Sequence, residues 1–126
     1  VKAGVSKAWV CRIVKKVLRA EKAKGHVEVL VTGDRQIRSL NKKFLRHDNA
    51  TDVISFQMDE PGYLGDVVVS ADTARRLSRE LGISYKEELA RYVVHGTLHL
   101  LGYEDKKKND HKKMHGRQEI ILKSIR

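Results

Sequence analysis

The sequence predicts an α+β fold: a single small domain over residues 1–126, with a small mixed β-sheet packed against about five helices. Three observations predict this fold. A chain of 126 residues has the usual length of one domain and can bury about two-thirds of its unfolded surface. Helical and strand-like periodicities follow one another in the order α-β-α-β-β-α-α-α. No repeat or linker-like stretch divides the sequence.

Residues 1–70 carry the patterns of two helices and three strands. Ser6 is positioned to cap a first helix that runs to about Lys24, with Gly25 after it. The segment VEVLVTG is typical of a strand because β-branched residues alternate with their neighbours. Asp34 is a good N-cap for a short second helix. After the polar loop RHDNA, the segments TDVISFQM and LGDVVVS are predicted strands joined by a DEPG turn. The second is almost continuously apolar, which favours a central position in the sheet.

Residues 71–126 carry the patterns of three helices. The segment ADTARRLSREL is the third helix, and a glycine follows it. Ser84 and Glu87 form a capping box, S-x-x-E, for a fourth helix. This helix is predicted to run to about Leu101, where Gly102 can end it in a left-handed turn. A last helix is predicted over roughly residues 109–124.

The net charge of +10 is concentrated at the two ends of the chain. Residues 1–24 hold eight Lys or Arg against one Glu, and residues 106–126 hold eight against one Asp and one Glu. Residues 47–74 hold six acids and no Lys or Arg. This pattern indicates a polyanionic partner, most often a nucleic acid, for the basic N-terminal and C-terminal helices. The alternative is that both helices present solvated faces without a partner.

The sequence also bears on compartment. It contains no apolar run of the length that a membrane span needs, and its first residues lack the apolar core of a signal peptide. The single cysteine, Cys11, cannot form an internal disulfide, which fits a reducing environment. We therefore expect a cytoplasmic protein with no membrane partner, and the sequence leaves its oligomeric state open.

The stretch VVHGTLHLLGYED, residues 93–105, carries the strongest signal of function. His95 and His99 lie in a run of nine residues without a charged side chain. Residues four apart share one face of a helix, so both rings can bind the same metal ion. The alternative is a pair of core histidines bonded to the backbone, but each would need partners for both ring nitrogens away from water. The spacing therefore favours a metal site on the fourth helix.

A catalytic zinc site has three protein ligands and one open position. Asp105 is the candidate third ligand because Gly102 allows the chain to turn back towards the two histidines. Asp105 could instead cap the final helix. His111 and His115 are rival third ligands, although they lie in a basic helix where spare histidines are common.

The residue after the first histidine bears on the kind of hydrolysis. Zinc peptidases with an H-E-x-x-H helix keep a glutamate there as general base, whereas this chain has Gly96. A metal could still lower the pKa of a bound water or polarise a phosphoryl oxygen. The motif therefore predicts a metal-dependent hydrolase and argues against a peptidase.

HGTLHLLGYED resembles the signature of the YbeY family, bacterial rRNA maturation factors described as metal-dependent endoribonucleases. LNKKFLRHDNATDVISF and LGDVVVS are similar to two further motifs of that family, so the resemblance covers residues 40–105. It implies a small α+β domain that holds one Zn²⁺ ion through three side chains. His95 and His99 match two of the family's ligands directly. The third is usually a histidine, and its position is occupied here by Asp105.

The resemblance also implies roles for other residues. The family's arginine position falls on Leu45, and we assign its role of phosphate clamp to Arg46, one place later. Asp52 is a better candidate for a general base than Asp66, although a structural role at a strand end is favoured for both.

The function implied by the resemblance is zinc-dependent endoribonuclease action in rRNA maturation, including small-subunit rRNA 3′-end processing and ribosome quality control. The implied partners are the rRNA precursor and the small ribosomal subunit with assembly proteins. Two alternatives stay open. One is a non-enzymatic RNA-binding ribosome assembly factor with a structural metal. The other is a metallohydrolase of another substrate class.

Overall fold

The computed structural model describes residues 2–125 and shows the predicted elements in the predicted order. The helices are α1 (Lys7–Ala20), α2 (Asp34–Leu45), α3 (Ala71–Leu81), α4 (Tyr85–Leu100) and α5 (Lys108–Ile125). The strands are β1 (His26–Thr32), β2 (Val53–Glu60) and β3 (Tyr63–Ser70). The predicted small α+β domain with a mixed sheet is confirmed. No helix within residues 2–125 combines the length and apolar character that crossing a membrane requires.

The three strands form one mixed sheet in the order β1-β3-β2. β3 pairs parallel with β1 and antiparallel with β2, so the strand with the most continuous apolar sequence is central, as predicted. Its residues Val67 and Val69 are fully buried. β2 extends to Glu60, two residues beyond the predicted strand, because Glu60 still pairs with Tyr63 across the hairpin.

Helix α4 lies directly on the sheet at Gly96. A Cβ atom built on Gly96 would lie 2.5 Å from Cγ1 of Val67, so the absence of a side chain permits this close approach. The hydroxyl of Ser55 donates a hydrogen bond of 2.8 Å to the carbonyl of Gly96, and the Gln57 amide donates one of 3.1 Å to the carbonyl of His99. These contacts fix the histidine-bearing turns of α4 beside β2.

Helix capping follows the sequence signals at two of the helices. The Ser6 hydroxyl accepts from the Trp9 amide at 3.0 Å, and the Ser84 hydroxyl accepts from the Glu87 amide at 3.0 Å. Each serine satisfies one of the backbone donors that a helix start leaves without a partner. The predicted starts of α1 and α4 are therefore confirmed.

Two predicted boundaries were wrong. Helix α1 ends at Ala20 rather than near Lys24, because Lys22 adopts a left-handed conformation (φ 53°) and the Ala23 amide bonds back to the Leu18 carbonyl at 2.8 Å. Such a closing turn is a common way to end a helix. Helix α2 has Gly33 rather than Asp34 at its N-cap.

The Asp34 side chain is engaged elsewhere. Its carboxylate accepts hydrogen bonds of 2.6 Å from the hydroxyls of Ser70 and Thr73 at the start of α3. Arg76 lies 3.1 Å from the same carboxylate. Asp34 therefore joins α2 to α3 instead of capping its own helix.

Candidate metal centre

The three side chains predicted as metal ligands lie together at the end of α4. Oδ2 of Asp105 is 3.6 Å from Nε2 of His95 and 3.4 Å from Nε2 of His99. One possible ligand atom from each residue lies within 4.8 Å of the other two, and all three side chains are partly buried. The arrangement offers two imidazole nitrogens and one carboxylate oxygen to a single ion.

The chain returns from α4 through a tight left-handed turn. Gly102 has a φ of +101°, a conformation that residues with a Cβ rarely adopt. The Gly102 amide bonds to the His99 carbonyl at 3.0 Å, and the Tyr103 amide bonds to the Leu98 carbonyl at 3.1 Å. This turn places Asp105 against the histidine rings. Since α5 begins at Lys108, Asp105 does not occupy the cap position that was its alternative role.

The outer nitrogen of each histidine ring faces an oxygen atom. Nδ1 of His99 lies 2.9 Å from the backbone carbonyl of Tyr103, and Nδ1 of His95 lies 2.7 Å from Oε1 of Gln118. A carbonyl oxygen only accepts hydrogen bonds, so each of these two contacts requires a proton on Nδ1 of the ring. Nε2 then has a free lone pair directed towards Asp105, as a metal ligand requires.

Burial is the main influence on the charge of His95. It lowers the pKa of the ring below its ordinary value of 6.5, against the hydrogen bond to Gln118, which raises it. The neighbouring His99 lowers the pKa further, whereas the carboxylates of Asp105 and Asp52 oppose that shift. The net effect favours a neutral ring, the form that binds a metal.

His111 and His115, the rival ligands, do not join the three-residue cluster. Their rings stack on each other with centroids 6.3 Å apart on α5. They line a separate cavity of about 240 Å³, which His95 and Gln118 also line. The structure thus brings Asp105, rather than His111, to the two histidines of α4.

A cleft of about 680 Å³ opens in front of the three side chains. It is bounded by the α2–β2 loop, by β2 and by the α4–α5 turn, with Lys106 beside Asp105 on its wall. Leu45 and His47 line this cleft, whereas Arg46, at the left-handed end of α2, is exposed and does not. The structure therefore places the predicted clamp next to the cleft rather than inside it.

The two acids considered as bases have structural partners. Asp52 lines the cleft, but its Oδ1 accepts from the Val53 amide at 2.8 Å and from the Thr51 hydroxyl at 3.3 Å. Asp66 accepts from the hydroxyl of Tyr63 on the same strand. These contacts fit the structural role that the sequence favours for both acids.

Two groups of the site, Gln118 and the Tyr103 carbonyl, are not predicted by the sequence. Gln118 lies 23 residues after His95, on another helix, and nothing in the local pattern around it indicates a role. A backbone carbonyl leaves no trace in a sequence at all. Both contacts depend on how α5 and the α4–α5 turn pack against α4.

Comparison with known proteins decides the family. The sequence pattern of the family described as Endoribonuclease YbeY matches residues 2–126. The chain belongs to the YbeY family. The resemblance noted in three segments thus extends over nearly the whole chain. The description of this family names an endoribonuclease, which is the enzyme class that the resemblance implies.

Individual YbeY relatives support this assignment. The Endoribonuclease YbeY of Aquifex aeolicus is 50% identical over 91 residues, which cover 69% of this chain and 61% of that protein. The Endoribonuclease YbeY of Koribacter versatilis is 38% identical over 124 residues, which cover 98% of this chain and 78% of that protein. The chain therefore matches only part of the length of each relative. A Thermotoga maritima protein known from its solution structure shares the fold, with a TM-score of 0.69 and 26% identity over 92% of this chain and 78% of that one.

Proposed function

We propose that the protein is a zinc-dependent endoribonuclease that acts in rRNA maturation, at the 3′ end of small-subunit rRNA, and in ribosome quality control. The observation that carries the proposal is the convergence of two Nε2 atoms and the Asp105 carboxylate on the wall of an open cleft. Membership in the YbeY family supplies the substrate class.

The donor set fits zinc. Zn²⁺ is commonly bound by imidazole nitrogen and carboxylate oxygen, and catalytic sites use three protein ligands and leave one position open. His95, His99 and Asp105 provide these three donors, and the cleft adjoins them. Structural zinc sites are normally closed by four ligands, often cysteines, and the one cysteine of this chain lies exposed on α1. Zinc bound here would supply a Lewis acid for a phosphoryl oxygen and would lower the pKa of water.

Residues around the cleft would keep the site in shape and would bind the RNA. The Gln57 amide and the Tyr103 carbonyl keep α4 and the His99 ring in place through hydrogen bonds of 3.1 and 2.9 Å. Lys106 on the cleft wall attracts the phosphate backbone, which carries affinity without sequence choice. Asn49 and Thr51 offer polar groups on the part of the wall that the α2–β2 loop forms.

Arg46 is proposed as a clamp for the phosphate charge that develops during cleavage. Within residues 2–125, no hydrogen bond or ion pair holds its side chain, so the guanidinium can swing over the rim next to Leu45 and His47. Arg46→Ala should lower the cleavage rate by about 10²–10³-fold. Arg35→Ala, an exposed arginine on the same helix, should leave it unchanged. Equal rates for the two variants would remove Arg46 from the proposal.

The proposed partners are the rRNA precursor and the small ribosomal subunit with its assembly proteins, in the cytoplasm. The family name supports RNA as substrate. The basic charge of +10 supports a polyanionic partner of this kind.

The test is cleavage of a structured small-subunit rRNA precursor by three matched preparations. These are zinc-loaded wild type, chelator-stripped wild type with zinc added back, and His99→Ala purified in the same way. Cleavage that disappears on stripping, returns with zinc and is absent from the variant is the expected result. The variant also controls for a contaminating nuclease.

Other outcomes would select an alternative. RNA binding without cleavage in all preparations, together with unfolding on metal removal, would indicate an assembly factor with a structural metal. Cleavage of small esters or peptides but not RNA would indicate another hydrolase. The steric position of Gly96 argues against a peptidase, because a glutamate at this position would have to enter the space occupied by Val67.

A further inference from the structure

Helix α5 contacts the metal centre through one buried amide. Nδ1 of His95 lies 2.7 Å from Oε1 of Gln118, whose side chain is almost completely buried. A glutamine can present either its oxygen or its NH₂ group to a ring nitrogen. The two orientations have opposite consequences: the oxygen requires a proton on Nδ1, whereas the NH₂ group requires a bare Nδ1 and leaves the proton on Nε2.

The neighbouring carboxylate decides the orientation of this amide. Nε2 of Gln118 lies 3.0 Å from Oε2 of Glu119. An ionised carboxylate only accepts hydrogen bonds, so the NH₂ group of Gln118 must face Glu119 and the amide oxygen must face His95. The reversed orientation would place the amide oxygen against a carboxylate oxygen and would lose the hydrogen bond to Glu119.

Glu119 is itself held in place. Arg91 on α4 contacts both of its oxygens, with Nε 3.0 Å from Oε2 and a terminal nitrogen 3.1 Å from Oε1. A second nitrogen of Arg91 lies 2.6 Å from the buried carboxylate of Glu88. Such two-pronged pairing fixes orientation as well as distance. These contacts form a series that begins on α4, crosses to α5 and returns to α4. Its members in order are Arg91, Glu119, Gln118 and His95.

We infer that Gln118 is a positioning residue that selects the tautomer of His95, and that Glu119 and Arg91 hold its amide in the required orientation. Neutral imidazole in water favours the form with the proton on Nε2, which would block the ligating atom. Gln118 reverses this preference and keeps the Nε2 lone pair directed at Asp105. The inference rests on the proposed metal site.

The tautomer can be measured without metal and without RNA. Two-bond ¹H–¹⁵N correlations of the metal-free protein, recorded at alkaline pH where imidazole is neutral, distinguish a proton on Nδ1 from one on Nε2. The wild type should show His95 in the Nδ1–H form. Gln118→Leu keeps the approximate volume but removes the acceptor, so His95 should shift towards the Nε2–H form.

Zinc affinity gives a second readout, measured by competition with a chelating dye. Gln118→Leu should weaken zinc binding by about 10–100-fold, as is usual when the partner of a ligating histidine is removed. Glu119→Ala should give a smaller loss and a mixed tautomer, because the amide can then rotate. Gln36→Leu is the matched control. It removes a partly buried hydrogen bond of 2.6 Å between Gln36 on α2 and Thr32 at the end of β1, and it should alter neither readout.

An Nδ1–H signal for His95 in Gln118→Leu like that of the wild type would overturn the inference. Zinc affinity in this variant equal to that of Gln36→Leu would also overturn it. If Gln118→Leu does not fold, Glu119→Ala keeps the test decisive. An unchanged Nδ1–H tautomer of His95 in Glu119→Ala would contradict the inference that Glu119 holds the Gln118 amide. If the wild type cuts no RNA, the proposed nuclease function falls, while the tautomer measurement still decides the role of Gln118.

Discussion

At the residue scale, the candidate metal centre depends on which side chain supplies the third donor atom. Asp105 lies 3.4 Å from Nε2 of His99, whereas His111 lines the neighbouring cavity. Loss of the hydrogen-bond partner of a metal ligand weakens metal binding by about 10–100-fold. We predict that Asp105→Asn weakens zinc binding by more than this, because the anionic ligand itself is removed. His111→Ala should bind zinc like the wild type. Dye competition on the three purified proteins measures this.

The opposite ranking of these two variants would show that the α4–α5 turn rearranges when metal binds. His111 would then replace Asp105 as a ligand, and the geometry of the cleft wall would have to be revised. Glu104→Gln is a useful control, because Glu104 also lines the cleft but does not belong to the three-residue cluster.

The residues of the site differ in how far the sequence could identify them. His95 and His99 are related by helical spacing, and Asp105 follows them through a glycine turn, so local geometry favoured this group, with His111 as the alternative third ligand. Gln118 could not be found in this way, because its role depends on the contact between α4 and α5. Its amide orientation depends in turn on Arg91, 27 residues earlier in the chain.

At the element scale, the position of α4 on the sheet depends on Gly96. A Cβ there would lie 2.5 Å from Val67 and 3.0 Å from Val53, both in the sheet. Gly96→Ala should therefore destabilise the protein by about 1–3 kcal/mol, the usual cost of overpacking a core. Gly116→Ala should instead stabilise it by up to about 1 kcal/mol, because alanine is the better helix former and nothing lies within 4 Å.

Urea unfolding of both glycine variants and the wild type, followed by circular dichroism, measures this difference. The two substitutions are chemically identical and both lie within helices, so helix propensity favours alanine at each. Destabilisation at Gly116 equal to that at Gly96 would contradict the argument from close packing.

The link between α2 and α3 makes stability depend on pH. Burial opposes ionisation of Asp34, but the hydrogen bonds from Ser70 and Thr73 and the charge of Arg76 outweigh it and hold the pKa of this carboxyl below 3.8. A carboxyl whose pKa is lower in the folded state stabilises the fold above its unfolded pKa. That stabilisation is lost as the pH falls through the folded value.

Asp34→Asn should consequently be less stable than the wild type at neutral pH, and the difference should shrink at acid pH, below the ordinary carboxyl pKa of about 3.9. Urea midpoints recorded across this range measure the difference. Asp59→Asn, at the exposed end of β2, removes a carboxyl group outside this link and is the matched control. An offset of Asp34→Asn from the wild type that does not change with pH would exclude the ionised carboxylate as the link.

Local signals predicted most of the elements correctly, and the errors involve distant partners. Ser6 and Ser84 cap their helices as their sequence neighbours suggest. Asp34 has the residue type of a cap, but its oxygens bond to residues 36 and 39 positions later in the chain, at the start of α3. No local pattern could show that residues of α3 bind this side chain and so keep it from capping α2.

At the scale of the whole molecule, the cleft and the lysines that face β1 lie at opposite edges of the sheet. The cleft adjoins β2, and Lys106 lies on its wall. Lys7 and Lys15 of α1 line a groove along β1, which is the opposite edge of the sheet in the order β1-β3-β2. Two strand spacings of about 4.8 Å, together with the packed side chains, separate these lysines from the cleft. This separation is at least the screening length of about 8 Å in physiological salt.

Charge at the cleft should therefore matter more for RNA binding than the same charge on α1. The double variant Lys106→Gln, Lys113→Gln removes two positive charges beside the α4–α5 turn, and Lys7→Gln, Lys15→Gln removes two from the β1 groove.

Each phosphate contact contributes about 0.7 to the slope of log affinity against log salt on single-stranded RNA. The first pair should reduce this slope by about 1.4, and the second should leave it nearly unchanged. Fluorescence anisotropy at several salt concentrations measures both slopes. Because both variants have the same net charge, equal reductions would mean that total charge, and not its position beside the metal centre, determines how the protein holds RNA.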